Sequence, residues 1–461
     1  MSGTTWRAEK WIGRARCFAV QEPDTGERHP LPLEGALPGE LVRADDETTP
    51  YKRWLRTTEV LEPSPDRIEP SCPVAARCPG CSLLHTTEAA EDRYKALVVA
   101  EVFSRELGQL IAPDDVTIVA PARRGGHRAI AVVALEVTAD GNRLLGLRAR
   151  DRTVVHAPAC PANHRLIAET LTRVLAWFPA ELPPCRAEIT VRVGVRAFDG
   201  PEATELTIRW EHGTPGSVTG ALVDRLHELR AEPIAGVRME RADEDARAEP
   251  WRLGSTGGGL EALPIGALRL AKPLGAWAAP TPAQSEALYA WLLGTARRLF
   301  DERLDGVRAL DVGCGMGGVS FTLAHAGCRV VGLDVDFRAV ESARQTAHVE
   351  TTERAGGIDA TFRGGKAQTV LPRMVRDGER FDLVTINPFR SALGADAMRA
   401  VHQLGARAVI YLAPSAIAGA KDVHALREAG FRVAELGVAN LHPGAHALLA
   451  LAVLRRRQST R

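Results

Sequence analysis

Short apolar pieces alternate with turn-rich stretches along residues 1–66. ARCFAV, LVRADD and RTTEVLEP are separated by EPDTGERHP and EGALPGE, without a helical period. This patterning predicts a small β module and fits a barrel of the kind that binds single-stranded nucleic acid, though composition alone says only the former. Residues 86–110, TTEAAEDRYKALVVAEVFSRELGQL, change to a helical period that starts at Thr–Thr–Glu and puts Leu97, Val98 and Val102 on one side. From about 116 to 275 strands return in VTIV, HRAIAVVALEV, RLLGLRA, AEITVRVGVRAF and ELTIRW, interrupted by a helix over 163–178 and by the flexible loop GSTGGGLEALPIG. From about 283 strands alternate with helices: ALDVG, RVVGLDV, DATFR, DLVTIN, AVIYLA, FRVAELGV and ALLALAVL. Seven strands of this kind predict a doubly wound α/β sheet, and the last two, joined without a helix, an antiparallel edge. The organisation expected is a β-barrel over 1–66, a β-rich central domain over 67–280 and an α/β domain over 281–461, with the helix over 86–110 packing on the last.

Composition narrows this picture only a little. At 461 residues with 45% hydrophobic and 25% charged positions, the chain has the makings of several cores and is not largely disordered. No run approaches about 20 apolar residues, and MSGTTWRAEKW lacks the apolar segment of a secretion signal, so a cytoplasmic protein without a membrane span is expected. The net charge of +1 excludes only a bulk polycation. Between 121 and 173 nine arginines (123, 124, 128, 143, 148, 150, 152, 165 and 173) face four acids (136, 140, 151 and 169). Such a stretch predicts a phosphate-binding face, although a charge run is also what a solvated surface looks like.

Two groupings carry candidate chemistry. Cys72, Cys78 and Cys81 stand in SCPVAARCPGCSLLH, and Cys160 follows in VVHAPACPANH. Thiolates at short spacing suit zinc or an iron–sulfur cluster, and spacing does not decide between them; Pro73, Pro79 and Gly80 bend the chain so that three sulfurs converge. Cys17, Cys185, Cys314 and Cys328 have no such company. The second grouping is ALDVGCGMGGVSFTLA, where Gly313, Gly315, Gly317 and Gly318 fall between a strand end and a helix start. Asp334 closes the next strand 23 residues after Asp311, where a carboxylate can accept hydrogen bonds from both ribose hydroxyls. The D-x-G-C-G-x-G form resembles the class I methyltransferase loop, which favours S-adenosylmethionine over NAD; Cys314 is expected to pack.

With these parts in order, nearly the whole chain resembles the RNA uracil-C5 methyltransferases, which modify tRNA and rRNA. EGALPGELVRADD and TTEVLEPSPDRIEPSC resemble the family's N-terminal TRAM module and its exit, the four cysteines resemble its 4Fe–4S site, and LDVGCGMGGVSFTLA with VVGLDVDFRAVESARQTA resembles its cofactor motifs. The resemblance implies an iron–sulfur metal site at Cys72, Cys78, Cys81 and Cys160. It also implies cofactor binding at Asp311, Gly313, Gly315, Gly317, Asp334 and Asn387, with RNA as partner. A monomer is expected.

The family's reaction needs a cysteine thiolate that adds to uracil C6 and a carboxylate that removes the C5 proton. In AVIYLAPSAIAG, Tyr411 and Leu412 match the family's Y-V-S-C-N strand end, but Pro414 takes the nucleophile position. In NLHPGAHALLAL, Pro443 matches D-M-F-P-x-T-x-H-x-E, Ala445 replaces the threonine and Leu449 takes the base position. The family's D-P-P-R becomes Asn387-Pro388-Phe389-Arg390, and its F-x-Q-x-N glutamine corresponds to Ala279. The expectation is therefore a methyltransferase that does not make 5-methyluridine. Asn387-Pro388-Phe389 is similar to the N-P-P-aromatic loop of amino-group methyltransferases, and His442 or His446 could serve as a base. The alternatives are a non-catalytic RNA-binding protein that keeps the fold as a scaffold, and an enzyme whose substrate is not RNA.

Overall fold

The computed structural model describes residues 4–22, 30–49, 52–196, 200–211, 214–242, 251–255, 262–265, 268–271, 281–353, 357–389 and 391–457. The three-part architecture expected from the patterning is present. Ala279, Arg390 and most of the loop GSTGGGLEALPIG lie outside the described residues.

Five strands, Thr5–Gly13, Arg16–Glu22, Leu31–Glu34, Leu41–Thr49 and Lys52–Glu62, close into a barrel. Alternate side chains (Ala8, Cys17, Ala19, Leu33, Val42, Leu55) fill its interior, as the two-residue period of a strand requires. The central unit is a nine-stranded sheet. Its apolar side, with Leu135, Ile189, Ile208 and Trp210, is closed by Ile167 and Leu171 of the helix Arg165–Trp177 and by Leu222 of the helix Gly216–Asp224.

The C-terminal unit differs from the expected seven strands in two ways. Its order runs Ala360–Gly364, Arg329–Asp334, Arg308–Val312, Leu383–Ile386, Ala408–Ala413, Leu449–Arg456, Phe431–Ala439 and finally Val116–Ala120. The last strand of the chain is antiparallel to both neighbours and lies inside the sheet, not at its edge. The edge is Val116–Ala120, which pairs in parallel with Phe431–Ala439. The alternation of VTIV marks a strand correctly but carries no information about which sheet the strand joins.

The helix Glu88–Leu107 joins the units. Thr87 caps it through Oγ1, which accepts from Ala90 N, and Gly108 ends it in the left-handed region. Leu97 and Val98 pack against the barrel core, where Tyr94 stacks on Trp11 at 5.0 Å. Val99, Phe103 and Leu107 pack into the core of the α/β unit, which also holds Val401, Val423 and Leu426. One helix thus has two buried sides, and the single apolar stripe expected of it is only half of its contacts. Among the described residues no helix is long and apolar enough to cross a membrane.

Candidate active site

The parallel strands of the α/β unit end in loops at one edge of the sheet, and the glycine loop lies there. Gly313, Gly315 and Gly317 all have positive φ, at 80°, 54° and 92°. Gly313 is the tightest: a Cβ there would stand 2.1 Å from the carbonyl oxygen of Asn387. At Gly315 nothing lies within 4 Å of a Cβ position, so that turn of the loop faces open space. The loop is hung on the neighbouring strand, since Gly313 N donates to Leu333 O at 2.7 Å and Gly315 N donates to the Asp334 carboxylate at 2.8 Å. The other carboxylate oxygen of Asp334 accepts from Asp336 N at 2.8 Å. Each oxygen keeps a further lone pair. Val335 and Phe337, both exposed, follow directly.

Asp311 lies beneath this surface, 1% exposed. Its two oxygens accept from Ser320 Oγ at 2.6 Å and Thr385 Oγ1 at 2.7 Å, which ties the first strand to the following helix and the adjacent strand. Burial pushes its carboxyl up to about 6, against the two hydroxyl hydrogen bonds that lower it. Because the folded-state value lies above the ordinary 3.8, Asp311 contributes stability that is complete below about pH 4 and is lost as pH rises through about 6. Asp311→Asn cannot titrate. Wild type should therefore gain on this variant by about 2–3 kcal/mol as pH falls from 7 to 4, measured by urea unfolding at each pH.

Asn387 lies against the glycine loop, its N–H donating to Val312 O at 2.8 Å, and Phe389 is 69% exposed just beyond it. Pro414 is exposed at the end of its strand, and Leu449, at the start of another, is buried with Ala439 and Leu451. The Leu449 side chain is thus part of the core.

His442 and His446 lie on the connection between the last two strands in sequence. Burial, with Lys95 and Arg128 close by, pulls His442 down to about 4, and burial also lowers His446. His446 N donates to Ser82 Oγ at 3.1 Å.

Several residues near this connection were not legible as site residues. Glu91 and Lys95 of the long helix are buried, with Nζ donating to the Glu91 carboxylate at 2.8 Å. Burial favours the neutral form of Glu91, but Lys95, with hydrogen bonds from Asn440 and Arg124, outweighs it and the carboxyl falls below its ordinary range. Neither His127 ring nitrogen has a hydrogen-bond partner among the described residues, and burial pulls this histidine down to about 4. Charged residues on an otherwise amphipathic helix read as solvent-facing, so only the structure exposes this cluster.

The cysteine expectation is corrected. Cys72, Cys78, Cys81 and Cys160 are free thiols, and their sulfurs are near enough for Cys78 and Cys81 to feel the charge of the others. Yet among the described residues no group of three or more His, Cys, Asp or Glu side chains is arranged to hold a metal ion. Burial pushes Cys78 and Cys81 up, which favours the protonated thiol, and Arg128 Nη2 donates to Cys81 Sγ at 3.5 Å. The donor set thus does not fit a 4Fe–4S cluster or another metal centre. Sequence spacing brings Cys72, Cys78 and Cys81 to one region and the fold adds Cys160, without giving the four a ligand geometry.

The arginine-rich stretch also resolves differently from a continuous phosphate face. Arg124 is bonded to Glu91, Leu83 O and Thr86 O, and Arg128 to Gly80 O. Arg143 donates to Phe178 O and Arg173 to Glu232 O, while Arg148 pairs with Glu211 and Arg150 with Glu34. Six of the nine therefore bind the protein itself, whereas Arg123, Arg152 and Arg165 are exposed.

Residues 304–417 match the family model described as a methyltransferase domain. This part of the chain is a class I methyltransferase domain. Similarity to whole proteins extends well beyond it. A 23S rRNA (uracil(1939)-C(5))-methyltransferase of Aeromonas salmonicida is 26% identical, covering 92% of this chain and 91% of the relative. An uncharacterized RNA methyltransferase of Streptomyces coelicolor is 29% identical over 91% of this chain and 86% of its own length. The crystal structure of Pyrococcus abyssi tRNA (uracil-54, C5)-methyltransferase with S-adenosyl-L-homocysteine superposes with a TM-score of 0.69. It covers 97% of this chain and all of that one at 18% identity, a likeness of fold. Over most of its length the chain is thus similar to RNA methyltransferases, uracil-C5 enzymes among them, with the methyltransferase domain at its C-terminal end.

Proposed function

We propose that this protein is an S-adenosylmethionine-dependent RNA methyltransferase that acts on an exocyclic amino group and does not make 5-methyluridine. The observation that carries this reading is the contact of the Asn387 peptide with Gly313. It sets Asn387-Pro388-Phe389 directly against the glycine loop, while Pro414 offers no nucleophile. Gly313, Gly315 and Gly317 would let the backbone approach the cofactor, Asp334 would accept from its ribose hydroxyls, and Val335 and Phe337 suit a flat base. Asp311 would act from below by fixing the loop. S-adenosylmethionine supplies an electrophilic methyl group. The Asn387 side-chain carbonyl and the Pro388 carbonyl can accept from an NH2 group, and the exposed Phe389 ring can stack on the base that carries it. An amine needs no prior covalent activation, so a site without a thiolate suffices.

The reading is tested by incubating the protein with labelled S-adenosylmethionine and total RNA, then resolving the nucleosides by mass spectrometry. Label in an N-methylated nucleoside and none in 5-methyluridine is expected. Labelled 5-methyluridine overturns the proposal. Cofactor and RNA binding without transfer would instead favour a non-catalytic RNA-binding role.

A further inference from the structure

The connection Asn440–Ala447 lies at the same edge of the sheet as the glycine loop, and it is held by polar bonds to an unusual degree. Lys95 Nζ, on a residue 2% exposed, donates to Asn440 Oδ1 at 2.7 Å and to His442 O at 3.3 Å, besides its bond to Glu91. Asn440 Nδ2 donates to Glu91 at 2.8 Å and to Asp92 at 3.1 Å. Gly444 N donates to both Glu91 oxygens at 3.0 Å. Arg124 Nη2 closes the charge balance on Glu91 at 2.6 Å. From the other side Leu83 N donates to Gly444 O at 2.8 Å, and Ser82 meets His446.

An apolar staple would hold such a loop at least as firmly, because taking a lysine and a carboxylate out of water offsets most of their attraction. What the charges add is register. Donors and acceptors at 440, 442 and 444 are matched individually, so the backbone cannot slide by a residue without leaving a buried charge unpaired.

We propose that Lys95, together with Glu91, is a positioning residue for methyl transfer, fixing the connection Asn440–Ala447 at the sheet edge that carries the glycine loop. This rests on the reading of the protein as an RNA methyltransferase. Lys95 itself touches neither cofactor nor substrate in this role. It acts through the loop, from a helix whose opposite side is packed on the barrel.

The test uses the full chain with Lys95→Met, and with the charge-neutral pair Glu91→Gln/Lys95→Met in case the single change leaves Glu91 too poorly balanced for folding. Two readouts are taken. Amide hydrogen exchange over 440–447 should accelerate by about tenfold or more while the parallel strands keep their protection. In the transfer assay kcat should fall by about tenfold or more, with the KM for RNA and the affinity for S-adenosylmethionine within about threefold of wild type. Lys95→Arg should recover part of kcat. Unchanged exchange over 440–447 overturns the proposal, and so does accelerated exchange with unchanged kcat. If wild type transfers no methyl group, the functional reading fails on its own and positioning for transfer falls with it; loss of protection in the variants then shows only that Lys95 holds the loop.

Discussion

Gly313→Val should destabilise the methyltransferase domain by about 3 kcal/mol or more and abolish measurable binding of S-adenosylmethionine. Two costs coincide at this position. The backbone has a φ of 80°, a conformation a β-branched residue enters only with strain. The new Cβ would also stand 2.1 Å from the Asn387 carbonyl oxygen, and a backbone atom cannot rotate away as a side chain can. Relief requires the glycine loop to lift from Asn387, just past the strand Leu383–Ile386, which separates the two halves of the proposed cleft. Gly315→Ala is the control, because φ is 54° but nothing lies within 4 Å of its Cβ. It should cost about 1 kcal/mol and leave the domain folded. Calorimetric melting of the three proteins with cofactor titration of each checks this; a Gly313→Val melting temperature within a degree or two of wild type contradicts it.

Asp334→Ala should weaken S-adenosylmethionine binding by about ten- to a hundredfold, the range expected for losing hydrogen bonds to a charged acceptor. Part of this arises before any ligand arrives. Asp334 holds Gly315 N with one oxygen and Asp336 N with the other, so its loss frees the outer turn of the glycine loop as well as removing the proposed ribose acceptor. Asp334→Asn separates these contributions only partly, since its NH2 group would face one of those two N–H donors. It should fall between wild type and alanine. Isothermal titration with S-adenosylhomocysteine measures the series, and an alanine variant that binds within about twofold of wild type would remove Asp334 from the site.

The glycine loop was readable in the sequence because it is local: a strand, a turn that needs positive φ and a helix follow one another within a dozen residues. Asp334 was readable for the same reason, one strand later. Lys95 and Glu91 were not, since their burial depends on Asn440 and Gly444, some 350 residues away. Arg128 and Arg143 misled in the opposite sense, because their partners are backbone carbonyls, which leave no mark in the sequence. The four cysteines show a related limit. Spacing and fold brought the sulfurs into one region, but spacing could not establish the orientation a metal site needs. The burial of Leu449 among Ala439 and Leu451 is set by the pairing of the last two strands and becomes visible only with its neighbours.

The strand Val116–Ala120 makes the methyltransferase domain discontinuous. The chain builds the long helix and this edge strand first, departs to form the central sheet, and comes back at Thr281 to complete the domain. Its points of departure and return lie side by side: Asn440 N donates to Ala120 O, and Thr281 Oγ1 donates to Leu441 O at 2.8 Å on the next residue. The central sheet is thus an insertion with adjacent ends, of the kind a fold tolerates well. A cut at residue 281 would strip the edge from the catalytic half, whereas replacing 121–280 with a short linker would preserve it. The inserted segment is nonetheless no free cassette, since its Ile265, Leu268 and Leu270 pack with Met316 and Phe321 behind the glycine loop, so any exchange must keep that strand pair.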